Sequence, residues 1–258
     1  MRLYAVNEEG LEAVVIPLVE TLRRQGDWLF RNRSWVPPAL LLPPVAVGVV
    51  CEGSVPDIAC SPWWQVLCLA PILLGIVMRA WIVGTVPEGT SGRNTQRQVA
   101  EELNTTGAYS VLRHPLYMSN ALMWAGVLLR PAIWWLWLLG MVVFIVVYER
   151  IMLAEEFFLH QRFGERFREW AQRTPAVLPQ WDRYRPPARS FQWGAVLLRE
   201  YSTWLAVTAS FAVVEALLFW RWTGQLGLPL LWWCVLGAVG AMAILLRFLK
   251  RRARLFRG

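Results

Sequence analysis

The sequence predicts an all-α, polytopic membrane protein of about six transmembrane helices. Three observations carry that prediction. Of the 258 residues, 56% are hydrophobic and only 17% charged, a balance that soluble domains of this length rarely show. The apolar residues gather into long runs separated by polar, Arg-rich passages. The 17 Trp residues point the same way, since Trp gathers at membrane–water interfaces. A net charge of +8 alone would suit a nucleic-acid-binding protein, but not the apolar runs. Arg outnumbers Lys 25 to 1, a bias typical of a GC-rich, bacterial coding sequence. The expected location is therefore a bacterial inner membrane.

Residues 1–34 are polar and mixed in charge, and read as a cytoplasmic segment. Three Glu in the first twelve positions, with Pro17 breaking the only apolar run, do not read as a signal peptide. Leu11, Val14, Val15, Leu18 and Leu22 recur at helical spacing. They fit a helix lying in the interface or one packed on the rest of the protein.

Trp35–Val50 is the first apolar run. It holds Pro37, Pro38, Pro43 and Pro44, tolerable where neighbouring helices satisfy the freed backbone groups. A short loop with two acids and no Lys or Arg follows at 51–61. Cys51 and Cys60 bracket it, as free thiols or as a disulfide. The second run, Pro62–Val86, is interrupted late by Arg79. Residues 87–114 are polar, and Pro115 suits the first turn of a new helix.

The next apolar stretch meets Arg130-Pro131 and resumes to Tyr148. As one helix, Met118–Tyr148 would measure about 46 Å against a hydrocarbon core of about 30 Å. A hairpin turning at Arg130-Pro131 is the alternative, with Trp134, Trp135 and Trp137 beside the turn. Residues 149–199 are Arg-rich, and Leu159, Phe163, Phe167 and Trp170 share one face of an expected surface helix. Tyr201–Trp220 and Leu228–Phe248 are the last two spans. The organisation expected is a 1–34 segment, a membrane core over 35–200, and a two-helix hairpin with a basic tail over 201–258.

Charge bias chooses the hairpin. With six spans and both termini on one side, 23 of the 26 Lys and Arg residues fall on that side. Only Arg79, Arg130 and Arg221 lie elsewhere. By the positive-inside rule that side is cytoplasmic. Two polar clusters then face the cytoplasm at the feet of one hairpin. One is the passage TTGAYSVLRHPLYMSN, residues 105–120; the other holds Glu149, Arg150, Glu155 and Glu156. Arg113, His114 and Tyr117 supply a cation, a ring with two nitrogens and a phenol, and the paired acids supply acceptors. This set suits a zwitterionic ligand with sugar hydroxyls. On physical grounds alone, Arg113 and Arg150 anchoring helix ends at the headgroups accounts for them equally well.

The order of these motifs resembles the isoprenylcysteine carboxyl methyltransferases, which are similar in turn to the phospholipid N-methyltransferases. The features carrying the resemblance are Gly107-x-Tyr109, Arg113-His114-Pro115-x-Tyr117, a hairpin, Glu155-Glu156, Phe163-Gly164 and Pro175/Pro179. They cover roughly residues 75–180. The resemblance implies S-adenosyl-L-methionine as cofactor, with Leu103, Tyr109, His114, Pro115, Tyr117 and Glu155 at its site. It implies Arg113, Arg150 and Glu156 as catalytic candidates, with Arg150 holding an acceptor anion. The expected partners are the bilayer and a lipophilic or lipid acceptor, with no nucleic acid and no metal. With two His residues and no CxxC spacing, a multi-His or paired-Cys metal site is not expected.

Competing readings are an NADPH-dependent sterol or enone reductase, a small-thiol S-methyltransferase, a transporter and a non-catalytic scaffold. In place of the Asn and Glu of the reductase motif stand Leu116 and Asn120. The spans are almost clean of the polar residues that a transporter needs. Arg79 and Glu215, as ionisable residues inside apolar runs, are functional candidates by default. Glu215, far from the clusters, is expected to form a structural pair.

Overall fold

A computed structural model describes residues 17–51, 55–87 and 100–255, the side chains of 253–255 excepted. Its α-helices are α1 (Pro17–Asn32), α2 (Val36–Cys51), α3 (Pro62–Thr85), α4 (Pro115–Leu129), α5 (Trp134–Phe163), α6 (Glu165–Arg173), α7 (Trp193–Thr223) and α8 (Leu230–Leu255). No strand occurs among the described residues. The all-α polytopic membrane fold read from composition is the fold observed.

Four helices, α3, α5, α7 and α8, are long and apolar enough to cross a membrane. The pair α1 and α2, bent by 85°, passes the same test only when taken together. The expected six spans are thus four or five by length. The shortfall lies at α2 and α4. Their 16 and 15 residues make about 22–24 Å of helix, less than a full hydrocarbon core.

The hairpin turns where expected. α4 ends at Leu129, and α5 starts at Trp134 after a turn in which Ala132 takes a positive φ of 60°. Trp134 is 75% exposed beside that turn. The expected surface helix is instead divided. α5 continues unbroken past its apolar part to Phe163, and Gly164, at φ 55°, breaks the axis before α6. A residue with a Cβ is disfavoured at that backbone angle. The expected boundary between 200 and 201 falls inside α7, whose first two turns precede it.

Close helix approach rests on small residues. α3 and α4 form the most extensive pairing. A Cβ at Gly75 would stand 2.6 Å from the Ser119 carbonyl oxygen. Ser119 is fully buried, and its hydroxyl donates to the Leu116 carbonyl. α1 lies along α5 with Gly26 against the Arg150 carbonyl. Of the five apolar positions read as its stripe, Leu18 and Leu22 lie in α1, and the other three fall outside the described residues.

Interhelical contacts define two ends of the bundle. At one, the Gln192 N–H donates to the Gly84 carbonyl and Lys250 Nζ to the Leu198 carbonyl. The end of α3, the start of α7 and the end of α8 therefore meet. At the other, Arg130 of the hairpin turn meets Ala59 and Glu215. Cys51 and Cys60 are free thiols.

Candidate functional site

The passage from Thr105 to His114 is a tight loop pinned by a strap running from Thr174 to Gln192. The Arg113 N–H donates to the Pro175 carbonyl, and the Gln180 N–H to the Val111 carbonyl. Gly107 pairs with Arg185 in an isolated bridge, and the Ser110 hydroxyl accepts from the Arg185 N–H. Trp170 of α6 donates its indole N–H to the Tyr109 carbonyl. Gly107 sits at φ 59°, which explains the glycine two residues before Tyr109. Pro115 occupies the first turn of α4, where a missing N–H costs nothing. Its fixed geometry leaves His114 at the helix start.

Here the two polar clusters meet. Arg113 Nη1 donates to both carboxylate oxygens of Glu156, at 2.7 and 2.8 Å. His114 Nε2 lies 2.8 Å from Glu156 Oε1, and Nδ1 lies 3.6 Å from Glu155 Oε2. Burial favours the neutral ring, but the carboxylates of Glu155 and Glu156 outweigh it and hold the His114 pKa above its ordinary value. A carboxylate on each ring nitrogen suits the imidazolium, which donates from both. The His114 ring stacks on Tyr117, 5.6 Å between centroids, and Tyr117 meets Tyr148 edge-on at 5.1 Å. Burial pushes the Tyr109 phenol above its usual range, keeping it neutral.

A cavity of about 410 Å³ opens beside this cluster. Its polar part is lined by Tyr109, Arg113, His114 and Glu155. Along α4 it passes Leu116, Asn120 and Trp124 to Val127, a run of about 16 Å at 1.5 Å per residue. Ala206 and Val207 of α7 flank the apolar part. Ser202, Thr203 and Ser210 of α7 add hydroxyls to this wall, and Arg33 adds a cation, so the cavity grades from ionic at the loop to mainly apolar, with scattered hydroxyls, between the helices.

Of the residues expected at the site, Tyr109, Arg113, His114, Tyr117 and Glu155 line this cavity. Glu156 stands behind it, holding Arg113 and His114. Pro115 sets the local backbone, and Leu103 does not line the cavity. Arg150 lies elsewhere. It donates to Gln25 of α1 and to the Val146 carbonyl, and so belongs to the α1–α5 interface. Helical geometry explains this position. Five residues separate Arg150 from Glu155, which turns the two about 140° apart around the axis.

Sequence reasoning missed a second polar group in the wall. Arg79 Nε donates to Glu200 at 2.5 Å, and Nη1 to Asn120 Oδ1 at 2.8 Å. Asn120 in turn donates to the Tyr148 hydroxyl at 3.2 Å. Arg79 is legible as a charge inside an apolar run. Glu200 is not, because it borders a polar segment that reads as loop.

Residues 63–166 match the phospholipid methyltransferase family model. The resemblance read from the motifs is borne out over that segment. The cobalt-zinc-cadmium resistance protein CzcN of Cupriavidus metallidurans is 30% identical over 122 residues, covering 47% of this chain and 56% of that protein. The nickel-cobalt-cadmium resistance protein NccN of Alcaligenes xylosoxydans xylosoxydans is 31% identical over 48% of this chain and 55% of its own length. Protein-S-isoprenylcysteine O-methyltransferase B of Arabidopsis thaliana is 34% identical over 45% of this chain and 60% of its own. The chain thus spans little more than half the length of these relatives. No solved structure matches it.

Proposed function

We propose that this protein transfers the methyl group of S-adenosylmethionine to a lipophilic acceptor, at the cytoplasmic end of an integral membrane helix bundle. One observation carries the reading. Arg113 and His114 of the first motif share the Glu156 carboxylate of the second, at the edge of a cavity that passes from ionic to apolar. The family match over 63–166 supports the same reaction class.

The lining fits the cofactor. The cavity's size lies within the roughly 300–1,000 Å³ of small-molecule sites. Glu155 would hold an ammonium, Arg113 a carboxylate, and the Tyr117 and Tyr148 rings would face a sulfonium cation. When bound, the cofactor supplies an electrophilic methyl group on sulfur with a neutral leaving group. The protein's part is then positioning and exclusion of water. Glu156 holds Arg113 and His114 in one geometry, and the strap from 174 to 192 fixes the loop that carries them. Alignment of this kind lowers a barrier by about 7–11 kcal/mol. The apolar walls from Met123 to Val127 and at Val207 would take the acceptor's hydrocarbon part. Arg150, remote from the cavity, has no role in this scheme. The core runs through 35–200 and takes part of α7 as a wall. The cytoplasmic orientation rests on the charge bias.

The test uses the full chain in detergent. Calorimetry with S-adenosylmethionine should show binding, and radiolabelled cofactor should label the lipid fraction of a membrane extract. His114→Ala and Glu155→Ala should abolish both. Absence of binding and of transfer in the unaltered protein would refute the reading and favour the reductase class.

A further inference from the structure

We propose that Arg79 is an anion receptor for the acceptor's head group, so that the acceptor is an amphiphile carrying a carboxylate or phosphate. This rests on the methyl-transfer reading for the word acceptor, but its geometry stands apart from the family motif. Arg79 lies on α3, six residues before the helix ends at Thr85, about 9 Å below that end. It lines the cavity with Asn120, Met123 and Trp124. It therefore stands deeper than His114 and Glu155, where the wall turns apolar.

The guanidinium is held from two sides. Glu200 of α7, 1% exposed, accepts from Nε, and Asn120 of α4 accepts from Nη1. Asn120 is oriented by its own bond to the Tyr148 hydroxyl. A guanidinium carries five N–H donors. Two are used here, and among the described residues the remaining three bond to no protein group. An ion pair that only joined α3 to α7 would engage every guanidinium nitrogen with protein, as Arg130 does at the other end of the bundle, whereas Arg79 Nη2 has no protein acceptor among the described residues. Arg79 instead turns spare donors toward a cavity with an apolar continuation. A planar pair of donors matches a carboxylate or phosphate, and such charge-assisted bonds are the strong ones. Glu200 and Asn120 are positioning residues. Glu200 lies outside the family segment 63–166, so the second half of the chain sets this preference.

The test measures binding, not turnover. The full chain in nanodiscs is titrated with dodecyl phosphate, dodecanoate and dodecanol, following Trp fluorescence, since Trp124 lines the cavity. At least one anionic probe should bind about tenfold or more tightly than the alcohol, and the tighter one names the head group. Arg79→Gln should erase the ratio while leaving dodecanol binding unchanged, and Arg79→Lys should restore part of it. If Arg79→Gln fails to fold with Glu200 left unpaired, Arg79→Gln/Glu200→Gln replaces the pair by two amides and should show the same loss. Equal binding of all three probes, or a ratio that survives in the variants, would overturn the proposal. So would loss of cofactor affinity in Arg79→Gln with the ratio intact, which would move Arg79 to the cofactor. Because no methyl transfer is read, failure of the reaction and failure of the receptor are separable.

Discussion

The two ends of the bundle each bury arginine against glutamate, and they do so differently. At the hairpin turn, Arg130 and Glu215 are each 4% exposed. Arg130 gives Nε and Nη2 to the two Glu215 oxygens and Nη1 to the Ala59 carbonyl. Gln65 adds a donor to Glu215, and Trp64 donates to the Arg130 carbonyl. Each of the three Arg130 nitrogens thus has a protein acceptor, and neither side chain lines the cavity. At the opposite end, Arg79 and Arg113 are each tied to a carboxylate yet border open space. Arg113 Nε is buried without a partner among the described residues. A pair in which every arginine nitrogen meets protein fixes helices together, whereas one that leaves a nitrogen without a protein acceptor at a cavity wall can receive a ligand.

The sharpest way to break the comparison is to open the closed pair. Glu215→Ala leaves Arg130 buried without its carboxylate, which costs about 3–5 kcal/mol. The thermal midpoint in detergent should fall by roughly 6–20 °C. A fall of only a degree or two would mean that the pair is solvated and not a tie. Next comes the ionic cluster. Glu156→Gln releases the geometry of Arg113 and His114 and should cut methyl transfer by about 10²-fold, with little change in thermal midpoint. An unaltered rate would remove Glu156 from the site.

A smaller effect concerns protons. The His114 pKa is raised in the folded state, because two carboxylates outweigh its burial. A raised pKa means that the stability from charged His114 is fully present below the unfolded value of about 6.5. It is then lost as pH rises through the higher folded value. The difference in thermal midpoint between the unaltered protein and His114→Gln should therefore be largest below about pH 6.5 and shrink above it. A difference that grows with pH would show the ring buried as the neutral form. Least of all should Arg150→Ala matter. Its partners are a neighbouring helix and the exposed acid Glu149, so stability should change by about 1 kcal/mol or less. Cofactor binding by calorimetry should be unchanged, and a large loss there would return Arg150 to the site.

What could be read in advance follows from where each signal lives. The membrane class, the turn at Arg130-Pro131 and the meeting of Arg113 with Glu156 depend on composition, charge bias and local motifs, all of which are linear in sequence. The span count was less legible, because α2 and α4 are apolar along their whole length but too short to cross alone. Arg79, Glu200 and Asn120 form a group only through packing, with Arg79 and Glu200 121 residues apart. Nothing periodic marks Glu200, which borders an Arg-rich passage and turns inward only because α7 begins at Trp193. The place of Arg150 away from the cavity is legible in helical periodicity. Tyr148 and Glu155, seven residues apart, fall within about 20° of one another on α5, while Arg150 faces away from both.

The central claim is that one end of the bundle does the chemistry and the other holds the fold. The direct measurement is methyl transfer per folded molecule, taken alongside the thermal midpoint, for Glu156→Gln and Glu215→Gln in the same preparation. The account predicts a crossed result: Glu156→Gln loses the rate and keeps its midpoint, while Glu215→Gln loses midpoint and keeps its rate. Full activity in Glu156→Gln, or loss of rate in a folded Glu215→Gln, would contradict it.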